Sequence, residues 1–412
     1  MKRSIIALII MTAVCAFAVN SHAADIEGVS IHGFLSQGYV QTTDNNFFSK
    51  TNKGTFEFNE FGINFSKDLT EKLHVGMQLF SKDYGTTGNN KIELDWAYGD
   101  YHYKDWLGVR AGKIKVPHGL YNQTRDVDML RTFIMLPQSV YPEVLRETTL
   151  AIVGAGLYGN IDLKKFGGLS YQVAMGTQNI EASERTKQAF MDTPSSNDVV
   201  QTDRFDVDSK YAGSIVWDTP LEGLKISWTT GNTKFTTESH ATADFMDWLK
   251  AGTKIYQKFD KFQYNVYSGE YTWNDLTLAG EYMKTKRLYA MGEGTPDLSM
   301  DNANGLSAKG WYTSASYRFT DWFVLGTYYS KTKSASAMAR GPQTEDLTGR
   351  TYQDDLCLSA RFDINEYMTF KLEGHDIKGT NGMSPLDNPA DADGKRWTED
   401  WKMFAAKVTF SF

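Results

Sequence analysis

The last twelve residues, WKMFAAKVTFSF at positions 401–412, decide the fold because their side chains alternate in polarity. Phe404 and Val408 lie on one side of an extended backbone, whereas Lys407 and Thr409 lie on the other. Successive side chains of a strand point to opposite faces, so this period of two predicts a strand with one apolar and one polar face. Such a strand fits a wall between an apolar phase and water.

The same period recurs from residue 27 onward and predicts about sixteen strands of roughly ten residues, the length that a tilted strand needs to cross a bilayer. We place these strands at 27–41, 55–67, 72–83, 91–103, 106–115, 148–159, 167–177, 204–217, 224–235, 262–273, 275–287, 309–319, 322–332, 353–363, 367–377 and 401–412. Short turns alternate with long, polar, glycine-rich connections, of which 116–147 is the longest. This pattern predicts an all-β fold, a transmembrane antiparallel β-barrel with short periplasmic turns and long extracellular loops.

Two residue types agree with this fold. Strands inside a sheet avoid proline, and every proline falls in a predicted loop or turn, at positions 117, 137, 142, 194, 220, 296, 342, 385 and 389. Aromatic residues favour bilayer interfaces, and several flank the short turns or the chain end: Tyr103, Trp106, Trp217, Trp273, Phe319, Trp322, Tyr367 and Phe412. A soluble β-sandwich or β-propeller would also alternate, but its loops would not sort by length onto one rim, and no blade-length repeat is present.

The N-terminus is typical of an exported protein. A positively charged start precedes an apolar stretch and the small-x-small sequence at 21–23. We therefore expect residues 1–23 to be a signal peptide and residues 24–412 to be the barrel. A sequence pI of about 5.6 and a formal net charge of −7 exclude a basic nucleic-acid binder, and an aromatic content of 14% excludes a disordered chain.

Three stretches carry a family resemblance. The opening strand VSIHGFLSQGY at 29–39, the block from Arg110 to Arg146 and the terminal Phe412 resemble the Gram-negative trimeric outer-membrane porins, in particular an uncharacterised proteobacterial branch. They are similar, more loosely, to the phosphate-selective and general diffusion porins. The resemblance implies a sixteen-stranded barrel in the outer membrane of a Gram-negative bacterium, assembled as a homotrimer. It also implies that Phe412 is the recognition signal for the barrel-assembly machinery.

The resemblance further implies a constriction loop. In that family the third long loop folds into the lumen and narrows the pore, and here this loop is 116–147. Its apolar run Phe133-Ile134-Met135-Leu136 would be unfavourable in water. Packing against the barrel wall would bury the run.

The loop and the strand before it hold the richest charge cluster, with six basic and four acidic side chains: Arg110, Lys113, Lys115, Arg125, Asp126, Asp128, Arg131, Glu143, Arg146 and Glu147. Opposed charges at a constriction create a field that biases which ions enter. We predict that the pore constriction contains Arg110, Arg125, Asp126, Asp128 and Arg131, with Arg110 foremost because it lies on the polar side of its strand. The alternative is structural pairing of Arg125 with Asp128 and of Arg146 with Glu143.

Alternation places further charges on the polar faces of strands. We predict that Glu93, Asp95, Arg361 and Lys407 face the lumen, together with Arg318, Lys371, Glu373 and His375. Their mixed signs argue against a strongly specific anion pathway. The alternative for each is a solvated residue paired with a cross-strand neighbour.

Catalysis finds little support, and we expect neither an enzyme nor a cofactor or metal, because hydrolase, zincin and Cys/His metal motifs are missing from the sequence. The segment GAGLYG at 154–159 has the glycine spacing of a dinucleotide site, but a turn and another strand are predicted after it instead of a helix. Asp387, Asp391 and Asp393 resemble part of a calcium loop that lacks its closing glutamate, which favours an acidic surface loop.

These inferences predict a porin that allows passive diffusion of small hydrophilic solutes and ions, screened where loop 116–147 meets the wall near Arg110. The expected partners are those solutes, outer-membrane lipid and the barrel-assembly machinery, with no nucleic acid. Two alternatives stay open. One is a barrel selective for organic acids or oxyanions, and the other is a surface protein without channel activity.

Overall fold

The computed structural model describes residues 28–85, 87–183, 186–187, 199–244, 249–301, 303–334, 351–384, 387–389 and 397–412. The strands of this part are β1 (Ser30–Thr42), β2 (Asn59–Asp68), β3 (Leu73–Asp83), β4 (Glu93–Lys104), β5 (Leu107–Lys115), β6 (Ala151–Asp162), β7 (Gly168–Thr177), β8 (Val200–Asp218), β9 (Leu224–Ala241), β10 (Lys254–Trp273), β11 (Leu276–Glu293), β12 (Asn304–Thr320), β13 (Phe323–Ser334), β14 (Tyr352–Asn365), β15 (Met368–Gly379) and β16 (Asp400–Ser411). Each strand pairs antiparallel with its sequence neighbours, and β1 pairs with β16 to close the barrel. The predicted fold class and strand number are confirmed.

Helices contribute little to the described residues. The short α-helix α1 (Arg146–Thr149) and four 3₁₀ turns lie between the strands there. None of the helices in the described segments combines the length and the apolar character that crossing a bilayer requires.

Each strand presents one face to the outside and one to the interior. On β16, Phe404 is 46% exposed on the outer face, whereas Lys407 and Thr409 are buried on the inner face. On β14, Leu356 and Leu358 are likewise exposed on the outer face. The wall is therefore apolar outside and polar inside, as expected of a barrel that has lipid around it and water within.

The strands β8 to β12 extend further toward the long connections than the sequence predicts. For example, β10 begins at Lys254 instead of residue 262. In the added segment, Lys258 and Lys261 occupy positions where a lipid-facing strand would carry apolar residues. The alternation of apolar and polar side chains is therefore lost there. Pairing with both neighbours nevertheless continues apart from a bulge, because ladder hydrogen bonds need no apolar face.

Outward aromatic residues form a belt on the turn side of the wall. On the turn side, most of the predicted residues are exposed, with Tyr367 half-buried: Tyr103, Trp106, Trp217, Trp273, Phe319, Trp322 and Phe412. Further along the strands, Trp228, Tyr267, Tyr282 and Trp311 stand directly opposite one another in a row across β9 to β12. The belt on the turn side marks one bilayer interface.

The segment between β5 and β6 folds into the barrel, and we call residues 116–150 the lumenal loop. Ile134 packs in a buried cluster with Trp401 on β16, and Leu136 packs in a second cluster with Tyr264 on β10. The predicted burial of the loop's apolar run is thus confirmed. The largest apolar clusters lie inside the barrel, where the loop meets opposite walls.

Two sequence predictions fall outside the described residues, namely the signal peptide at 1–23 and the acidic loop around Asp391. The glycine-rich segment 154–159 lies wholly within β6, which confirms a strand where a dinucleotide motif would need a turn and helix. Val153 and Leu157 are exposed on the outer face, so Gly154 and Gly156 lie on the inner face of the barrel.

Candidate pore constriction

The lumenal loop is tied to the far wall by Glu373 on β15. One carboxylate oxygen accepts the backbone N–H of Ile134 at 2.7 Å, and the other accepts that of Met135 at 2.9 Å. All three groups are buried. Because a buried amide without a partner is costly, this pair of hydrogen bonds fixes the height at which the loop crosses.

A second tie holds the loop to β11 through Glu281. Its carboxylate accepts the backbone N–H of Leu120 at 2.9 Å and the hydroxyl of Tyr141 at 2.5 Å, both from the loop. Ser268 and Tyr312 of the neighbouring strands donate to the same carboxylate at 2.6 and 2.7 Å. The loop is therefore anchored at both Glu373 and Glu281, on strands that are four positions apart in the barrel.

Asp128 links the loop to β15 and β16. Its carboxylate lies 3.0 Å from Lys371 Nζ, 3.4 Å from Lys407 Nζ and 3.5 Å from Arg131, and it accepts the hydroxyl of Thr409 at 2.9 Å. Burial alone raises the pKa of the Asp128 carboxyl, but Lys371 and Lys407 outweigh it and hold the pKa below its usual range. Asp128 is therefore ionised and neutralised in place.

Asp126 and Asp95 share two cations at the other side of the loop. Arg146 bonds Asp126 at 2.5 Å and Asp95 at 2.9 Å, and Lys115 pairs with both carboxylates. Burial raises the pKa of Asp126, but Arg146 and Lys115 outweigh burial and hold the pKa well below its ordinary value. These four groups join the loop to β4 and β5 as a compact, charge-balanced network.

Arg125 and Glu143 meet because the loop doubles back on itself. The Arg125 guanidinium lies 2.6 Å from the Glu143 carboxylate, which also lies 2.7 Å from Lys82 Nζ on β3. Burial raises the pKa of Glu143, but Arg125 and Lys82 lower it to about 2. These ion pairs hold the outgoing and returning parts of the loop to each other and to the wall.

The alternative interpretation, structural pairing within the loop, named the wrong partners: Arg125 with Asp128 and Arg146 with Glu143. Arg125 pairs with Glu143, and Arg146 pairs with Asp126. Side chains three residues apart face each other on a helix, but Arg125 to Asp128 does not lie in one. The return of the loop brings together residues that are far apart in sequence.

Arg110 lies apart from the four predicted loop residues. Its Nε donates to Asp100 on β4 at 2.7 Å, and its guanidinium lies 5.2 Å from the centroid of the Tyr98 ring and 4.2 Å from that of Tyr158. The Arg110 side chain is 23% exposed. The structure therefore places this residue on the wall, three residues after β5 begins, while Arg125, Asp126, Asp128 and Arg131 lie within the loop.

The four residues predicted to face the lumen lie on the inner face. Asp95 and Lys407 bond the lumenal loop, as described above, and Lys407 also pairs with Glu60 on β2. Arg361 donates to the backbone carbonyl of Arg131 at 3.2 Å. Glu93 stands opposite Phe80, a buried inner-face residue of β3, and its side chain is 39% exposed.

Sequence reasoning missed Glu60, Lys82, Asp100 and Glu281, each of which partners a predicted residue or the loop. All four sit on inner faces of strands, so alternation was the available signal. Glu281 directly precedes outward-facing Tyr282 on β11, and only its contacts with the loop show its role. Such contacts depend on how the loop crosses the lumen.

Cys357, Glu373 and His375 form a buried cluster whose potential ligand atoms lie within 4.8 Å of one another. Both Glu373 oxygens accept amides of the lumenal loop, and the two ring nitrogens of His375 lie 2.9 Å from Asp355 and from Glu373. The Glu373 carboxylate is occupied by the loop and the His375 ring by two wall carboxylates, so the cluster does not fit a metal centre.

The comparison with protein families agrees with this architecture. A sequence model of the Gram-negative porin family matches residues 10–354. The chain belongs to the Gram-negative porins. This porin is therefore a protein of the outer membrane, and its family and fold are those of a channel and not of an enzyme.

Solved structures share the fold of this porin. It superposes on OmpT of Vibrio cholerae with a TM-score of 0.55 and 8% identity, covering 95% of this chain and 100% of that one. It matches the anion-selective porin from Comamonas acidovorans with a TM-score of 0.54 and 12% identity over 93% and 99% of the two chains. It matches Salmonella typhi OmpF in complex with daunomycin with a TM-score of 0.55 and 13% identity, over 93% of this chain and 97% of that one. At such identities the likeness concerns the fold alone.

One similar protein comes from Aquifex aeolicus (strain VF5) and is described as uncharacterized. It is 24% identical over 140 residues, which are 33% of this porin and 30% of that protein. The match thus spans less than a third of the relative's length.

Proposed function

We propose that this porin forms a water-filled channel through which small hydrophilic solutes and ions diffuse passively across the outer membrane. The observation that carries this proposal is the lumenal loop, which is anchored across the interior of a closed barrel by Glu373 and Glu281. A fixed polar loop at mid-depth narrows an aqueous passage to a defined cross-section. Selection by size would then occur beside the loop.

The two sides of the interior differ in how completely the loop covers them. Lys371 and Arg110 both lie three residues from the start of their strands at the turn side, yet Lys371 is fully buried and the Arg110 side chain is 23% exposed. Tyr158, Gln172 and Ser214 on the inner faces of β6 to β8 are also half-buried only. We place the solute path along β5 to β8, with Arg110 at its edge.

Charge balance supports weak ion preference. Arg125, Arg146 and Lys371 each pair with a carboxylate, as does Arg110 at the proposed path. A strongly anion-selective path would need cations that no carboxylate neutralises. The charges of the loop therefore shape and stiffen the constriction more than they select one sign of ion.

Planar-bilayer recording of the purified porin tests the proposal. We expect stepwise conductance that rises with salt concentration, and a reversal potential close to zero across a salt gradient. Heat-modifiable migration on gels shows that the barrel is folded. If the folded barrel gave no conductance, this result would contradict the channel and indicate a surface protein. Block of the current by an organic acid or phosphate at low concentration would instead favour the selective alternative.

Assembly forms part of the proposal. We infer a homotrimer, supported by the resemblance to trimeric porins, and recognition of Phe412 by the barrel-assembly machinery. Phe412 exchanges backbone hydrogen bonds of 3.0 Å with Gly33 and remains 44% exposed at the end of the last strand. Conductance that appears in groups of three equal steps, together with crosslinked trimers, would support the oligomer, whereas single isolated steps would oppose it.

A further inference from the structure

The outer face of β11 to β13 carries a group of lysines just beyond Tyr282 and Trp311, toward the long connections. Lys284 and Lys286 follow Tyr282 along β11, and Lys309 precedes Trp311 on β12. On β13, Lys331 and Lys333 complete the group: Lys331 stands opposite Trp311, and Lys333 lies two residues beyond it. Except for half-buried Lys331, these side chains are exposed.

Three of these lysines lie side by side across the sheet. Lys284 stands directly opposite Lys309, and Lys309 stands directly opposite Lys333. We call these three residues the lysine row. Side chains in such cross-strand positions have Cβ atoms about 5 Å apart, and like charges placed there are destabilising. An anion bound to this row of three lysines would therefore relieve their repulsion.

The protein itself supplies little compensation. Among the described residues, no carboxylate lies within ion-pair distance of any member of the lysine row, and Lys331 pairs with Asp354 at 2.8 Å. Lysines at the same end of β9 and β10 differ in this respect. Lys234 pairs with Asp260 at 2.6 Å, and Lys254 pairs with Glu238 at 2.7 Å.

The height of the row on the barrel wall suggests the anion. The turn-side aromatic residues mark one bilayer interface, and Lys309 lies ten residues along β12 from Phe319 of that belt. Ten residues of a tilted strand rise about 25 Å, which is the height of the apolar band of such barrels. The ammonium groups therefore lie at the level of lipid headgroups on the side of the long loops, which is the outer leaflet.

We propose that the lysine row binds the phosphate groups of an outer-leaflet lipid. Lysine is a compact cation that binds phosphate as a point charge, and neighbouring lysines on a rigid sheet present a fixed spacing to a headgroup with more than one phosphate. Binding would remove the repulsion within the row and hold a lipid against this part of the barrel.

Lipid binding to the full-length porin in detergent tests the proposal, with diphosphoryl lipid A as the probe and native mass spectrometry as the measurement. The variant replaces the whole row by Lys284→Gln, Lys309→Gln and Lys333→Gln. Since each basic residue near an anionic surface contributes about fivefold, the variant should bind about a hundredfold more weakly. The matched control, Lys234→Gln with Lys254→Gln, removes paired lysines and should change binding less than twofold.

Unchanged conductance and heat-modifiable migration show that the variant is folded. If the triple variant does not assemble, Lys309→Gln alone, at the centre of the row, should weaken binding about fivefold. The proposal would be overturned if the triple variant, or Lys309→Gln in its place, bound lipid A as tightly as the wild type does. It would also be overturned if the control variant lost as much lipid binding as the triple variant. Displacement of the lipid by inorganic pyrophosphate at equal concentration would show a site for free anions instead of a lipid.

Discussion

Glu373 on β15 accepts a hydrogen bond from the backbone amide of Ile134 at 2.7 Å, across a sequence separation of 239 residues. Its other oxygen accepts the next amide, that of Met135. The carboxylate therefore satisfies two consecutive buried donors of a segment that has no strand partner of its own. This relationship, more than the apolar run beside it, sets where the lumenal loop crosses the interior.

Replacing Glu373 by alanine should loosen the lumenal loop where it crosses the interior. Two buried amides would lose their acceptor, at a cost of about 1–3 kcal/mol each. We expect a lower temperature for the heat-modifiable gel shift and greater noise in the open-channel current. The control is Asp376→Ala, three residues along the same strand, whose side chain is 70% exposed. Identical noise and shift temperature in both variants would show that Glu373 does not hold the loop.

The pairing of Arg125 with Glu143 predicts a specific energetic coupling. Removing one partner of a buried ion pair costs about 3–5 kcal/mol because the other charge is left uncompensated. A double-mutant cycle of Arg125→Leu and Glu143→Leu should therefore give a coupling of about 1–3 kcal/mol in the free energy of unfolding. The matched cycle pairs Arg125→Leu with Asp128→Leu. A larger coupling in that second cycle would favour the local pairing and contradict the structure.

The barrel could be predicted from the sequence because one face of each strand is apolar. Alternation at Phe404 and Val408 is a local signal, and it gave the strand at 401–412 nearly to its ends. The signal fails where lipid no longer selects the outer face, as at Lys258 on β10. The extension of β10 depends on pairing with its neighbours, which the residues of one segment do not report.

The candidate site could be predicted only as a set of residue types. The loop, its burial and the presence of Arg125 and Asp126 followed from its length, its apolar run and its charges. Their partners did not, because Glu143 reaches Arg125 only after the loop has turned back. Lys115 illustrates the same limit, since it interrupts the alternation of β5 and yet turns inward to pair with Asp126.

Arg110 offers a test of the proposed solute path. The substitution Arg110→Glu changes the wall charge by two units beside Asp100, so cations should accumulate there and the cation/anion permeability ratio should rise. Reversal potentials across a salt gradient measure this ratio. Lys402→Glu makes the same charge change on the outer face, where the side chain is 71% exposed, and should leave the ratio unaltered. An unshifted reversal potential in Arg110→Glu would place the path elsewhere.

His118, in the lumenal loop, is held in its neutral form. The ring is 5% exposed, Nε2 lies 2.9 Å from the carbonyl oxygen of Val140, and Nδ1 has no hydrogen-bond partner among the described residues. Burial lowers the pKa of His118 to about 4. Protonation would put a charge and an unpaired N–H into an apolar contact with Tyr264, whose ring centroid lies 4.5 Å away.

This depressed pKa predicts a loss of stability in mild acid. An unfolded histidine titrates near 6.5, so the contribution of His118 is complete above that pH and declines as the pH falls toward about 4. The carboxyl of Glu143, with its pKa lowered to about 2, loses its contribution only below its ordinary value of 4.5. We therefore expect the temperature of the heat-modifiable shift to fall between pH 6.5 and 4.5 in the wild type. In His118→Phe, which keeps a ring but cannot titrate, that decline should be absent. An equal decline in both proteins would assign it to another group.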